Sequence, residues 1–275
     1  MSNKPKASER ARSSNSSQTI NGSLISGASV LAFFICWEVL AVTGGINPVL
    51  ISSPSRVISA GIYLLSEGAL NDDIAFTLKV FTLSVTIAVI VGVGLGFAIG
   101  TNKTAYYLLN PFITVANSLP KIVLMPLIML WLGLTMSANV FLGALMASFP
   151  IIISVYTGVR SLDRDFIELA EVYDASPWFV FRMIILPGIT PFVLSGMRVA
   201  ISYAMVGCLI AEFFASSEGI GYRMVLYMSN FEVDAFFVCM VLVAGFTLSI
   251  ASLVHRLERR IEAWRPAAFR SMEMP

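Results

Sequence analysis

The stretch "VFTLSVTIAVIVGVGLGFAIGTN", Val80 to Asn102, runs for 23 residues without a charged side chain. A helix needs about 20 apolar residues to cross the hydrocarbon core of a bilayer. The stretch is long enough. Within it, Gly92, Gly96 and Gly100 recur every four residues. That spacing puts the three on one helix face, where a neighbouring backbone can approach closely. These glycines do not read as a nucleotide loop. They miss the G-x-G-x-x-G pattern, and no strand-turn-helix setting surrounds them.

Working outward, Ile122–Val159 and Ala235–Val254 are also free of charge, and the first is long enough for two spans. Leu24–Val42 and Pro191–Phe214 are apolar but carry Glu38, Arg198 and Glu212. Thr104–Pro120 has no charge but holds Asn110, Pro111, Asn117 and Pro120. Together with Lys121–Gly133 it reads as one broken passage, or as a short span followed by a re-entrant piece. Irregular backbone at membrane depth survives only where protein or a water-filled cavity surrounds it. Six spans are expected, at 24–43, 76–101, 107–132, 138–158, 191–214 and 235–255. Composition agrees: of 275 residues, 57% are hydrophobic and 13% charged, against about a quarter charged in a soluble domain.

Charge orients the spans. With the N-terminus inside, 13 of the 18 basic residues fall in inner segments, clustered at Lys4–Arg12, Arg160–Arg182 and Arg256–Arg270. The positive-inside rule then places both termini, and the connection between the fourth and fifth spans, in the cytosol. Residues 1–22, polar, Ser-rich and basic, are expected to form a disordered cytoplasmic tail. Residues 23–260 form the membrane domain, and 261–275 a C-terminal cytoplasmic tail.

Catalytic constellations are absent. No P-loop pattern occurs, and no set of side chains suits nucleophilic catalysis. Cys36, Cys208 and Cys239 have no metal spacing and read as small apolar fillers. His255 sits beside Arg256, Arg259 and Arg260 at a membrane edge. The sequence therefore offers no catalytic, cofactor or metal site.

The inner connection is "ELAEVYDASPWFVFRMIILPGITP", Glu168 to Pro191. Ser161 to Asp165 supplies several candidate N-caps, and Asp165 with Glu168 resembles a capping box. The helix that follows would carry Phe166, Leu169, Ala170 and Tyr173 on one face, with Asp165, Glu168 and Glu171 towards the other. Asp174-Ala175-Ser176-Pro177 ends it, and Pro177 suits the first turn of a new helix. Two readings follow from the residues: a solvated linker with an apolar face, or a knob that docks into a partner's groove.

Glu168-Leu169-Ala170 followed by Ile184-x-Leu186-Pro187 resembles the cytoplasmic EAA loop of ABC importer permeases. The family spacing is E-A-A, three residues, G, nine residues, I-x-L-P. Glu168 to Pro187 keeps it, with Leu169 at the middle Ala and Asp174 at the usual Gly. Glycine tolerates a left-handed turn, and Asp is among the next most tolerant residues. "SLPKIVLMPLIMLWLGL" (118–134), "FPIIISVYTGVRSLD" (149–163) and "SEGIGYRM" (217–224) are similar to segments of the taurine, alkanesulfonate, nitrate and thiamine-precursor permeases, so the likeness covers about Ile74 to Trp264.

The resemblance implies an all-α, type I importer-like permease in the bacterial inner membrane, with about six transmembrane helices and a cytoplasmic coupling helix in the loop 160–187. It implies a partnership with two ATPase subunits that bind the ATP, a second permease copy, a periplasmic or extracellular substrate-binding protein and lipid, and none with nucleic acid. Glu168, Ala170, Glu171, Asp174, Leu186 and Pro187 become ATPase-coupling residues. The substrate path would run near the dimer axis past Asn117, Ser118, Lys121, Met125, Ser195, Arg198, Ser202 and Met205. Lys121 and Arg198 would suit a small anion such as a sulfonate or carboxylate; nitrate and vitamin precursors are further candidates. Glu218, Gly219, Gly221, Tyr222 and Asp234 would meet the binding protein.

A different class is an ion-gradient-driven secondary transporter. It would use ionisable residues inside the membrane, and here only Glu38, Glu212 and Arg198 offer themselves. A non-transport assembly factor is the third class. ATPase stimulation on reconstitution separates the three.

Overall fold

A computed structural model describes residues 7–43 and 50–264, with side chains from Ile25 onward except for 164, 167, 171 and 261–264. Eleven α-helices occur among the described residues, and no strand. They are α1 Ala7–Val42, α2 Pro54–Ser66, α3 Asn71–Thr101, α4 Lys103–Ser118, α5 Met125–Leu132, α6 Met136–Arg160, α7 Arg164–Val172, α8 Pro177–Val180, α9 Leu186–Ala215, α10 Ile220–Ser229 and α11 Val233–Trp264.

Five helical stretches are long and apolar enough to cross a bilayer: Ile25–Val42, Asn71–Thr101, Met136–Arg160, Pro177–Ala215 and Val233–Arg260. A sixth passage is the pair α4 and Lys121–Leu132, bent by 89°. Leu119 is extended there (φ −68°, ψ 138°) ahead of Pro120. A residue before proline is pushed out of the helical region, so the break falls where Pro120 dictates. The expected broken third passage is what the structure contains.

The helical assignment of α1 begins at Ala7, inside the stretch expected to be a disordered tail, although its candidate span starts only at Ile25. Residues 1–6, and 265–275 of the expected C-terminal tail, lie outside the described residues. The fifth span starts earlier than expected. It runs from Pro177 through a π-helical turn, Phe181–Ile185, into α9. Pro187 explains the wide turn. It has no N–H to give the Met183 carbonyl, and its ring would collide with that group in a regular helix.

The core is the triad α3, α6 and α9. The glycine ladder of α3 meets α6 in one register. A Cβ on Gly92 would lie 2.7 Å from Ile151, one on Gly96 2.7 Å from Val155, and one on Gly100 2.6 Å from Val159. No Cβ fits at such distances, so only glycine permits this approach. α9 runs antiparallel to α6, with Gly207 against Gly143, Gly196 against Ser154 and Gly188 against Leu162. The outward faces keep large exposed side chains such as Phe33, Ile90, Phe112 and Leu130. In a bilayer these face lipid or another subunit.

One end of the bundle carries α2 and α10, and the other carries α7. Neither short helix at the first end is visible as a strong periodic pattern. Both have local signals. Ser53 caps α2, its hydroxyl accepting from Arg56 N–H, with Pro54 in the first turn. Gly219, at φ 103°, starts α10.

Candidate coupling and translocation site

At the α7 end, the chain leaves α6 at Arg160, whose guanidinium lies 3.8 Å from the Tyr106 ring centre. The N-cap of α7 is Asp163, whose Oδ1 accepts from Asp165 N–H at 3.0 Å. The expected capping box at Asp165 and Glu168 therefore does not set this helix start: the nearer carboxylate, two residues earlier, takes the free N–H.

The apolar residues of α7 divide. Ala170 is buried and Phe166 half-buried against their own chain. Leu169, Val172 and Tyr173 point away, being 54%, 79% and 78% exposed. These three stand at i, i+3 and i+4, so they form one uncovered apolar face. Glu168 is exposed beside them. The side chain of Glu171 lies outside the described residues.

The helix closes in a Schellman turn. Ala175 N–H donates to Ala170 O at 2.9 Å across Asp174, which stands at φ 51°. The position where the family pattern has glycine is thus left-handed, and Asp occupies it. An L side chain there costs about 1 kcal/mol or more, eased for Asp. Asp174→Gly should leave the turn intact, whereas Asp174→Val should destabilise it by about 2 kcal/mol and speed cleavage within 172–176 under limited proteolysis. Equal cleavage of the two variants would show that the left-handed turn does not matter.

Ser176 then caps the next helix, accepting from Phe179 N–H at 3.3 Å. Phe181 packs edge-on to Phe97 of α3 at 5.6 Å, and Trp178 stacks on Phe181 at 5.7 Å. Leu186 and Pro187 are both exposed, just beyond the π turn. The loop residues expected to act together do share one end of the bundle.

The expected path residues are less united. Asn117 and Ser118 are exposed at the end of α4, and Ser195 and Ser202 on one face of α9. Lys121 is buried: its ammonium donates to Asn117 O at 3.0 Å and lies 4.5 Å from the Phe149 ring centre. Arg198 pairs with Glu258 of α11, which also meets His255 at 3.2 Å. Both cations thus have partners within the chain. Met125 and Met205 are 2% and 3% exposed and belong to the packed core. As placed, these two do not line an open path.

At the other end, Glu218 is exposed and Tyr222 half-buried. Asp234 is tied inward, accepting from Ser52 Oγ at 2.5 Å and facing Arg56 at 3.7 Å. Gly219 and Gly221 are buried rather than displayed. A Cβ on Gly219 would lie 2.6 Å from Glu212 Cδ, and one on Gly221 2.8 Å from Glu212 Cβ. They make room for a buried carboxylate.

Sequence reasoning missed the cluster around it. Gly219 N–H donates to Asp73 Oδ1 at 2.8 Å, Ile220 N–H to Thr77 Oγ1 at 2.9 Å and Gly221 N–H to Glu212 Oε2 at 2.8 Å. Thr77 Oγ1 in turn donates to Glu212 Oε2 at 3.0 Å. Arg223 Nε meets Asp73 Oδ2 at 2.5 Å, and this hydrogen bond holds the guanidinium above its ordinary pKa. The signal was present: an acid at a span end, followed by Gly-Ile-Gly. Three free N–H groups at the start of α10 need acceptors, and carboxylates also suit its positive end.

Comparison with known proteins follows the same lines. An ABC transporter permease chain of Brucella abortus, so named, is 28% identical over 245 residues, covering 88% of this chain and 97% of its own length. The protein of Escherichia coli named as the aliphatic sulfonates transport permease SsuC is 29% identical over 231 residues, covering 84% of this chain and 88% of its own. In fold, the chain is similar to one in the inward-facing MetNI methionine ABC transporter, with a TM-score of 0.61 at 17% identity, covering 70% of this chain and 95% of that one. The profile described as "Binding-protein-dependent transport system inner membrane component" matches residues 88–263, which take in the glycine ladder, α7 and Glu212 with the Gly219–Gly221 turn. A multi-pass helical membrane chain with this loop and this match belongs to that family: it is an ABC importer permease.

Proposed function

We propose that two copies of this chain form the membrane path of an ATP-driven importer for a small organic anion, in the bacterial inner membrane with both termini in the cytosol. Two ATPase subunits bind the ATP and dock on α7. A substrate-binding protein delivers cargo at the end carrying α2 and α10. The observation that carries this reading is the uncovered face of Leu169, Val172 and Tyr173 on a helix too short to stand alone. Such a helix keeps an apolar face because another protein fills it. Glu168 beside it suits a basic rim on that partner.

The anion class is supported by what relatives are named for, aliphatic sulfonates among them. It is not supported by Lys121 or Arg198, whose charges are already engaged. Ser195 and Ser202, with Asn117 and Ser118, remain the path residues that present polar groups outward. Glu218 and Tyr222 remain the docking residues open to a partner.

Reconstitution with the ATPase and binding protein encoded beside this gene tests the reading. ATP hydrolysis should rise several-fold with the binding protein loaded with an alkanesulfonate, and uptake should require ATP. Uptake that persists without ATP under an imposed ion gradient would instead identify a secondary transporter. In a cysteine-free background, Ser161→Cys should resist an impermeant thiol reagent in intact cells. Labelling from outside would invert the topology.

A further inference from the structure

Asn139, and Oε1 of Glu212, have no role in anything assigned above. Asn139 of α6 and Glu212 of α9 are both fully buried, with 0% exposure. Asn139 Nδ2 and Oδ1 and Glu212 Oε1 have no hydrogen-bond partner among the described residues. The second Glu212 oxygen is saturated by Thr77 and Gly221. Buried polar groups in a helix bundle are generally paired.

The register of the bundle brings the two together. Gly143 of α6, Ser84 of α3 and Cys208 of α9 meet in one layer: a Cβ on Gly143 would lie 2.5 Å from Ser84 Oγ and 2.7 Å from Cys208 Sγ. One helical turn along, towards the α10 end, Gly143 is replaced by Asn139 and Cys208 by Glu212. Residues four apart share a face, and each helix advances about 6 Å over that turn. α6 and α9 are antiparallel, so Asn139 and Glu212 step the same way along the bundle axis. That register sets them opposite one another in the next layer, on the level of Thr77, which bonds Glu212, and buried Val80 of α3.

We propose that Asn139 and Glu212 form one hydrogen-bonded pair across α6 and α9, which makes Asn139 the positioning residue for the carboxylate that seats the Gly219–Gly221 turn of α10. The amide has both donor and acceptor atoms and a broad terminal torsion, so a small rotation brings it to Oε1. It can pair with that oxygen whether or not the oxygen carries a proton. The consequence is a single polar layer tying α3, α6 and α9 to α10, at the end where cargo is proposed to arrive.

The test is a suppressor experiment on the full chain. Asn139→Asp would set two carboxylate groups against each other. It should cut the yield of folded protein at least fivefold and speed hydrogen exchange across 217–224 at least tenfold. Glu212→Gln alone should be near wild type, because the Gln carbonyl can still accept from Thr77 and Gly221 while its amide meets Asn139 Oδ1. The double variant Asn139→Asp with Glu212→Gln should return both readouts to within about twofold of wild type, since amide and acid have merely exchanged places. Neither readout uses transport, so the outcome stands apart from the proposed function. If Asn139→Asp is harmless, or if Glu212→Gln fails to rescue it, the two residues do not pair and the inference is overturned.

Discussion

Gly96→Leu will abolish accumulation of folded protein, while Gly94→Leu, two residues away, will be tolerated. A Cβ at Gly96 would lie 2.7 Å from Val155 Cβ and 2.8 Å from the Ile152 carbonyl oxygen, whereas one at Gly94 meets nothing within 4 Å. The carbonyl belongs to a helix backbone and cannot swing aside, so α3 and α6 would have to separate along their shared seam. Overpacking of this kind costs about 3 kcal/mol or more. In a chain of this size that corresponds to a fall of about 10 °C in melting temperature. Both residues carry the same helix-propensity cost and the same gain in apolar surface. The contrast therefore isolates the close approach. Size-exclusion profiles of the two variants in mild detergent decide the matter: matching monodisperse peaks would mean that the ladder does not hold the bundle.

The second large effect concerns coupling. Glu168→Lys should reduce ATP-driven uptake at least about tenfold, corresponding to about 1.4 kcal/mol or more of lost interaction, with unchanged membrane insertion. The residue is exposed, with no hydrogen bond or ion pair of its side chain among the described residues, so the protein itself should fold. Reversing the charge beside the uncovered Leu169, Val172 and Tyr173 opposes a basic partner surface at close range. Co-purification of the ATPase subunit gives a direct reading. Wild-type uptake together with normal ATPase recovery would remove Glu168 from the interface.

How much of this was legible in the sequence depends on the range of each interaction. The spans follow from local apolarity. The break before Lys121 follows from Pro120, and the resemblance of the loop to the family pattern marked 174 as the place of a glycine turn, while the structure shows that Asp adopts it. Each of these is written within a few residues. The start of α7 stayed open in the sequence because three carboxyl or hydroxyl side chains, Ser161, Asp163 and Asp165, stand as candidate caps within five residues, and only geometry chooses Asp163. The local half of the polar cluster, Glu212 with Gly-Ile-Gly, was written in the sequence, but its partners Asp73 and Thr77 were not legible because they lie as many as 139 residues away and meet it only through helix packing. Gly219 and Gly221 illustrate the difference. The resemblance put them where the binding protein would dock, but the fold buries them against an acid from their own chain. Lys121 and Arg198 show the reverse. Their charge suggested a substrate, yet the fold supplies each with an internal partner.

The π turn at Phe181–Ile185 has a mechanical meaning. Pro177 to Ala215 is a single helical rod of 39 residues, about 58 Å long at 1.5 Å per residue. One end is rooted beside α7, and the other carries Glu212 beneath α10. A push at the base therefore travels to the far face along one stiff body, with no relay of loops. The wide turn near the base is the one departure from regular α-helix that is described in this rod. It lies between the end proposed to dock the ATPase and the glycine contacts that seat α9. Shortening that turn to a regular helix would rotate everything above it, the seat of Glu212 included, relative to the end proposed to dock the ATPase.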